Sequence, residues 1–132
     1  MTRETYLEFC AALEGVKVDQ PFQMDFETSV ARHEKNKKWF AILMRKDGSD
    51  FVNLKCEPLK GGMLRGMFKG IRPGWHMNKD HWISVDLVGD VPEEVLCRLT
   101  RDSHALTAPR VHKAGKTPDD PLGEVEIFNP DK

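Results

Sequence analysis

The chain has 132 residues and a mass of 15.1 kDa, which fits one domain large enough to bury a core without disulfide or metal staples. With 31% charged residues and a mean hydropathy of −0.52 it reads as soluble, and Arg45 and Lys46 close its longest apolar run well short of a membrane span. The formal net charge of −1 excludes a globally basic nucleic-acid binder, but residues 35–81 hold eleven basic against four acidic side chains and both flanks are acidic.

The N-terminus carries Glu4 and Glu8 where a secretory signal would be apolar, so a cytoplasmic location is expected. Cys10, Cys56 and Cys97 are too dispersed for a zinc ribbon or a redox pair and read as reduced packing residues.

Thr2 is a natural N-cap, and Tyr6, Phe9, Cys10 and Leu13 form one stripe, predicting a helix over residues 3–14 stopped by Gly15. A short strand follows at Ser29–Arg32, then a polar hairpin tip over His33–Lys38. Residues 38–44 form a nearly continuous apolar strand, and Asp47-Gly48 supplies turn chemistry for a returning strand over Phe51–Lys55. Leu59, Met63, Leu64 and Met67 have helical spacing, but Gly61-Gly62 suggests a short or irregular element.

Residues 68–74 read as loop. Trp82–Val88 alternates and predicts a strand with one oily face. Pro92-Glu93-Glu94 opens a closing helix over 92–106, with Val95, Leu96, Leu99, Ser103 and Leu106 on one face. From Pro109 onward prolines and glycines argue against a packed core, and only Val125–Phe128 could form a strand, on this chain or on a partner's sheet edge. The order implies α+β, an antiparallel sheet with N- and C-terminal helices packed on one face, over residues 1–107, followed by an irregular or docked extension over 108–132.

The densest functional stretch is Ile71–Trp82, which packs Arg72, His76, Asn78, Lys79 and His81 between two tryptophans. His76 and His81 offer only two metal ligands, so no metal is assigned. Either could titrate near neutrality, but neither Ser84 nor Ser103-His104 is paired as a nucleophile with an orienting partner, so no catalytic residue is assigned and a non-catalytic role is favoured. The loop instead offers donors to an anion. Lys35, Lys37, Lys38, Arg45, Lys46 and Lys55 flank the Trp39-Phe40 strand and extend this basic surface; core packing is the commoner role of strand aromatics, and stacking of nucleic-acid bases the rarer one.

Several motifs occur in a familiar order: Phe9-Cys10, Glu14-Gly15-Val16, Asp19-Gln20-Pro21-Phe22, Trp39-Phe40-Ala41, Val52–Pro58 and Gly70–Val85. Over about residues 2–107 the chain resembles the MmcQ/YjbR family. That resemblance implies a CyaY-like (frataxin-like) α+β domain related to the double-wing arrangement, and its members are commonly described as DNA-binding. The shared positions are Lys55, Arg72, Pro73, His76, Asn78, Lys79, His81 and Trp82, with no established catalytic residue and no cofactor. Ser103-His104 departs from the family's usual Ser-Tyr, and frataxin-like iron binding is not carried over because no acidic ridge can be placed here.

Three readings follow. The first is a DNA-binding module using the basic strands and the Arg72–His81 loop. The second is a module or enzyme for a small anionic or phosphorylated ligand centred on Arg72, His76, Asn78, Lys79 and His81. The third is a protein-interaction domain using Val125–Phe128. A monomer or weak dimer without membrane association is expected in each case. A concave pocket would favour the second reading, and a flat basic sheet face the first.

Overall fold

A computed structural model of the chain describes residues 1–22 and 27–110. Its elements are α1 (Arg3–Ala11), β1 (Val16–Asp19), β2 (Ser29–His33), β3 (Trp39–Lys46), β4 (Ser49–Lys55), α2 (Pro58–Met67), β5 (Ile71–Pro73), β6 (Trp82–Asp86) and α3 (Glu93–Thr107). The six strands form one antiparallel sheet in the order β1-β2-β3-β4-β6-β5. This is the expected α+β architecture, with α1 and α3 on one face. The expected strand at Val125–Phe128 lies outside the described residues.

The helix-facing core follows from strand alternation. Leu43, Val52, Val85 and Ile71 lie opposite one another across β3, β4, β6 and β5 and meet Tyr6, Cys10, Leu96 and Leu99. Each large side chain fully removed from water there contributes about 1.5–3 kcal/mol. Polar atoms inside this core are matched. The Tyr6 hydroxyl bonds Thr100 Oγ1 at 2.8 Å, and Thr100 donates to Leu96 O one turn earlier. Ser103 Oγ donates to Phe40 O at 2.6 Å and accepts from Lys55 N at 2.8 Å, so α3 is fastened to two strands at once.

Asp47 and Gly48 both have positive φ (54° and 81°), the conformation of a two-residue hairpin turn, so the D-G signal marks the β3–β4 connection. Three local expectations change. Val16–Asp19 is a strand although four residues carry little periodic signal, and it forms by pairing with β2. Ile71–Pro73 is an edge strand rather than loop, and Pro73 is tolerated there because an edge needs no further N–H donor. Residues 58–67 form a regular ten-residue helix despite Gly61-Gly62; Gly61 is buried on its β6 side, where a Cβ would meet Ile83 Cγ2 at an ordinary 3.4 Å.

Candidate functional site

The second face of the sheet carries Val30, Ile42 and Trp82, with Trp39, Met44 and Met77 packed around them. The segment between β5 and β6 covers part of this face, and the backbone and buried polar groups dictate how. Gly74 N donates to Trp82 O at 2.9 Å, and a Cβ at Gly74 would sit 2.7 Å from Trp82 Cβ, so only glycine permits this approach. Beyond it the chain folds back over the sheet. Asn53 Nδ2 donates to Trp75 O at 3.0 Å, Trp75 N donates to Ser84 Oγ at 2.9 Å, and Ser84 Oγ donates to Asn53 Oδ1 at 2.5 Å. Asn53 and Ser84 are buried and paired across β4 and β6, so the loop is anchored from within the sheet. His76 occupies the left-handed region with φ 62°, uncommon for a non-glycine residue, and its ring lies 3.9 Å from that of Trp75.

Trp75 meets Phe51 edge-on at 5.9 Å, and Lys46 Nζ lies 5.7 Å from the Trp75 ring. Arg72 donates to Asp86 Oδ1 at 2.9 Å and lies 5.7 Å from the Phe51 ring, while Lys79 Nζ donates to Gly74 O at 2.9 Å. These side chains surround a cleft of about 570 Å³ between the β3–β4 turn and the 72–79 segment, with Asp47 on its rim. Its chemistry is three cations and two carboxylates around an aromatic wall. It offers donors and a stacking surface, and its lining contains no cysteine or histidine.

The basic residues singled out by sequence therefore separate. Lys46, Arg72 and Lys79 converge on the cleft. Arg45, one position from Lys46, points to the opposite face and forms a two-point pair with Asp50 (2.9 and 3.1 Å), which Arg3 also contacts at 2.6 Å. That pairing holds the Asp50 carboxyl below its usual range, with the Arg45 hydrogen bonds as the largest cause. Lys35 and Lys37 are exposed and Lys38 half-buried at the β2–β3 connection, the far end of β3, about 26 Å from Lys46 at strand rise. Lys55 is 4% exposed, so it presents no ammonium on the surface.

Asn78 Oδ1 accepts from Asp80 N, and the Asn78 carbonyl accepts from His81 and Trp82; His81 O accepts from Cys56 N. Those two residues shape the loop rather than the cleft. Sequence reading missed Phe51, Asn53 and Asp86 and weighed Ser84 only as a nucleophile. The available signal was the alternation of β4 and β6, which puts all four on one face of the sheet. Among the described residues no group of three His, Cys, Asp or Glu side chains could hold a metal, and no helix is long and apolar enough to cross a membrane.

The YjbR family model matches residues 11–106. The chain belongs to the YjbR family. It is similar to the uncharacterized protein YyaQ of Bacillus subtilis, with 34% identity over 117 residues, covering 81% of this chain and 98% of that one. It is also similar to YbdF of Escherichia coli O157:H7, 33% identical over 103 residues and covering 78% and 81% of the two chains. A Pseudomonas syringae crystal structure superposes with a TM-score of 0.74 at 33% identity, covering 81% of this chain and 99% of that one. Deinococcus radiodurans DR2400 superposes with a TM-score of 0.73 at 30% identity, covering 92% and 93%. The YjbR fold is thus the α+β sheet described above.

Proposed function

We propose that this YjbR domain is a non-catalytic binding module for a small phosphorylated or otherwise anionic ligand, held in the cleft between the β3–β4 turn and residues 72–79. The convergence of Lys46, Arg72 and Lys79 on one concave site beside Trp75 supports this reading. A phosphate there would compete with Asp86 for Arg72 and with the Gly74 carbonyl for Lys79, and both cations are exposed enough to turn toward it. A ring on the ligand would find the Trp75 face. DNA is the second reading, favoured by the exposed Lys35 and Lys37; a duplex of about eight base pairs would span from them to the cleft.

Fluorescence anisotropy with a labelled mononucleotide, a single-stranded oligonucleotide and a duplex, from about 50 to about 200 mM salt, separates the two. The expected outcome is mononucleotide binding displaced by pyrophosphate. Lys46→Ala, Arg72→Ala and Lys79→Ala should each weaken it about tenfold, the value of one charge-assisted contact, with Lys37→Ala unchanged. Duplex binding with a steep salt slope and sensitivity to Lys37→Ala would transfer the assignment to DNA. No binding of any of the three at the low-salt end overturns both.

A further inference from the structure

The cleft between the β3–β4 turn and residues 72–79 is nearly balanced in charge, with Lys46, Arg72 and Lys79 set among Asp47 and Asp86. An anion alone would draw the cations away and leave their present partners behind. Two of those partners need nothing from a ligand. Asp47, 3.8 Å from Lys46 Nζ, is 88% exposed and keeps its water, and the Gly74 carbonyl that accepts from Lys79 also accepts from Met77 N at 3.2 Å. Asp86 differs. Its side chain is 29% exposed, and among the described residues its carboxylate accepts one hydrogen bond, from Arg72 at 2.9 Å. A carboxylate can accept about four, and covering one that has lost its partner is costly unless the ligand brings donors of its own.

Position narrows the kind of donor. Phe51 stands directly opposite Asp86 in the β4–β6 pairing, and its ring meets Trp75 edge-on at 5.9 Å. A planar ring laid against Trp75 therefore has Asp86, one strand away, at its edge. Among the nucleobases guanine presents two adjacent N–H donors on one edge, N1–H and the 2-amino group, which match the two oxygens of a carboxylate. Adenine and cytosine each set an amino group beside a bare ring nitrogen, whose lone pair a carboxylate repels, and uracil flanks its single N–H with carbonyls. We propose that the cleft selects guanine nucleotides: Asp86 reads N1–H and the 2-amino group, Trp75 stacks on the base, and the three cations hold the phosphate. This rests on the anion-binding reading of the cleft and adds the identity of the base. At about 570 Å³ the cleft falls within the size range of small-molecule sites.

Isothermal titration calorimetry of the full chain with guanosine, inosine and adenosine monophosphates and with pyrophosphate tests this. The inosine nucleotide differs from the guanosine one only in lacking the 2-amino group, so that comparison needs no variant. Guanosine monophosphate is expected to bind about tenfold tighter than the inosine nucleotide, the value of one charge-assisted hydrogen bond, and about a hundredfold tighter than the adenosine one. Asp86→Asn keeps an oxygen for Arg72, but a side-chain amide pairs with adenine rather than with two adjacent donors, so it should bring the guanosine and adenosine nucleotides within about twofold. Pyrophosphate binding should not fall in that variant. Equal affinities for the three nucleotides, a preference for adenosine monophosphate, or binding of pyrophosphate alone would overturn guanine selection and leave the anion-binding reading standing. A guanine preference that survives Asp86→Asn overturns the role of Asp86. Binding of none of the four overturns both readings.

Discussion

Asn53 and Ser84 decide where Trp75 sits, although neither reaches the cleft itself. Both are buried, and together they satisfy the Trp75 N–H and C=O in a closed ring of three hydrogen bonds. Removing one member leaves a buried polar atom without a partner, which costs about 1–3 kcal/mol. Asn53→Ala is therefore expected to lower unfolding free energy by that amount in urea titration. It should also increase acrylamide quenching of tryptophan fluorescence as Trp75 loosens from Phe51. An unchanged midpoint and unchanged quenching would show that the loop is held by packing alone. The sequence signals the position only weakly: a polar residue on an alternating strand is ordinarily a solvent-facing one, and here the loop supplies the cover.

Glycines show at the scale of an element that residue type alone does not assign a role. Gly62 lies on the exposed side of α2, where an added Cβ would come no closer than 3.9 Å to Arg65. Gly62→Ala should raise stability by about 0.5–1 kcal/mol through helix propensity, read as an upward shift of the thermal midpoint. Gly74, where a Cβ would fall 2.7 Å from Trp82 Cβ and 3.0 Å from Trp82 backbone atoms, has the opposite prospect. Gly74→Ala should destabilise by about 1–3 kcal/mol and displace the 74–81 segment, abolishing the cleft. Amide hydrogen exchange at Gly74 and Met77, whose N–H groups bond Trp82 O and Gly74 O, would report the displacement directly. The Gly61-Gly62 pair and Gly74 look alike as helix breakers and turn formers. Only the neighbour across the gap separates them: a Cβ at Gly61 would meet Ile83 at an ordinary 3.4 Å, whereas one at Gly74 would clash with Trp82.

At the scale of the whole molecule, His33 links the sheet to the closing helix. It was expected in an exposed hairpin tip, but it ends β2 at 2% exposure, and its Nε2 bonds Thr107 Oγ1 at 3.0 Å. Its ring lies 4.5 Å from that of His104 and 5.3 Å from Phe40. Burial first, then His104 and Lys38, push its pKa from 6.5 down to about 4. Because the unfolded chain binds this proton more readily, the neutral imidazole contributes stability in full above about pH 6.5, and that contribution is lost as pH falls through 4. The loss is on the order of 3 kcal/mol, and global unfolding monitored between pH 7 and 3.5 should follow it. His33→Gln should flatten this part of the profile, since it removes the titrating group; an equally steep profile in the variant would move the dependence to other groups. The neighbouring Ser103-His104 pair completes this junction. Ser103 ties α3 to β3 and β4, and His104 fills space between His33, Phe40 and the Glu14 carbonyl, which its Nε2 meets at 3.0 Å.

Sequence by itself determined the elements whose periodicity is long: the first and last helices, the hairpin joined by Asp47-Gly48, the strand from Trp82, and the family to which the chain belongs. It also pointed to Arg72–Lys79 as the segment to examine, because that density of donors in a loop is rarely needed for packing. Tertiary structure alone decided which cations lie together. Arg45 and Lys46 are neighbours in the chain, but alternation sends them to opposite faces, where Asp50 takes one and the cleft the other. Lys55 reads as surface charge and is buried, while Lys37 lies a strand's length from the cleft. The short strands β1 and β5 belong to the same class: four and three residues hold too little local preference to fold alone, and they exist because β2 and β6 offer unpaired edges. Local preference is written along the chain, whereas the sharing of a site depends on strand order, register and side-chain facing, which only the closed sheet defines.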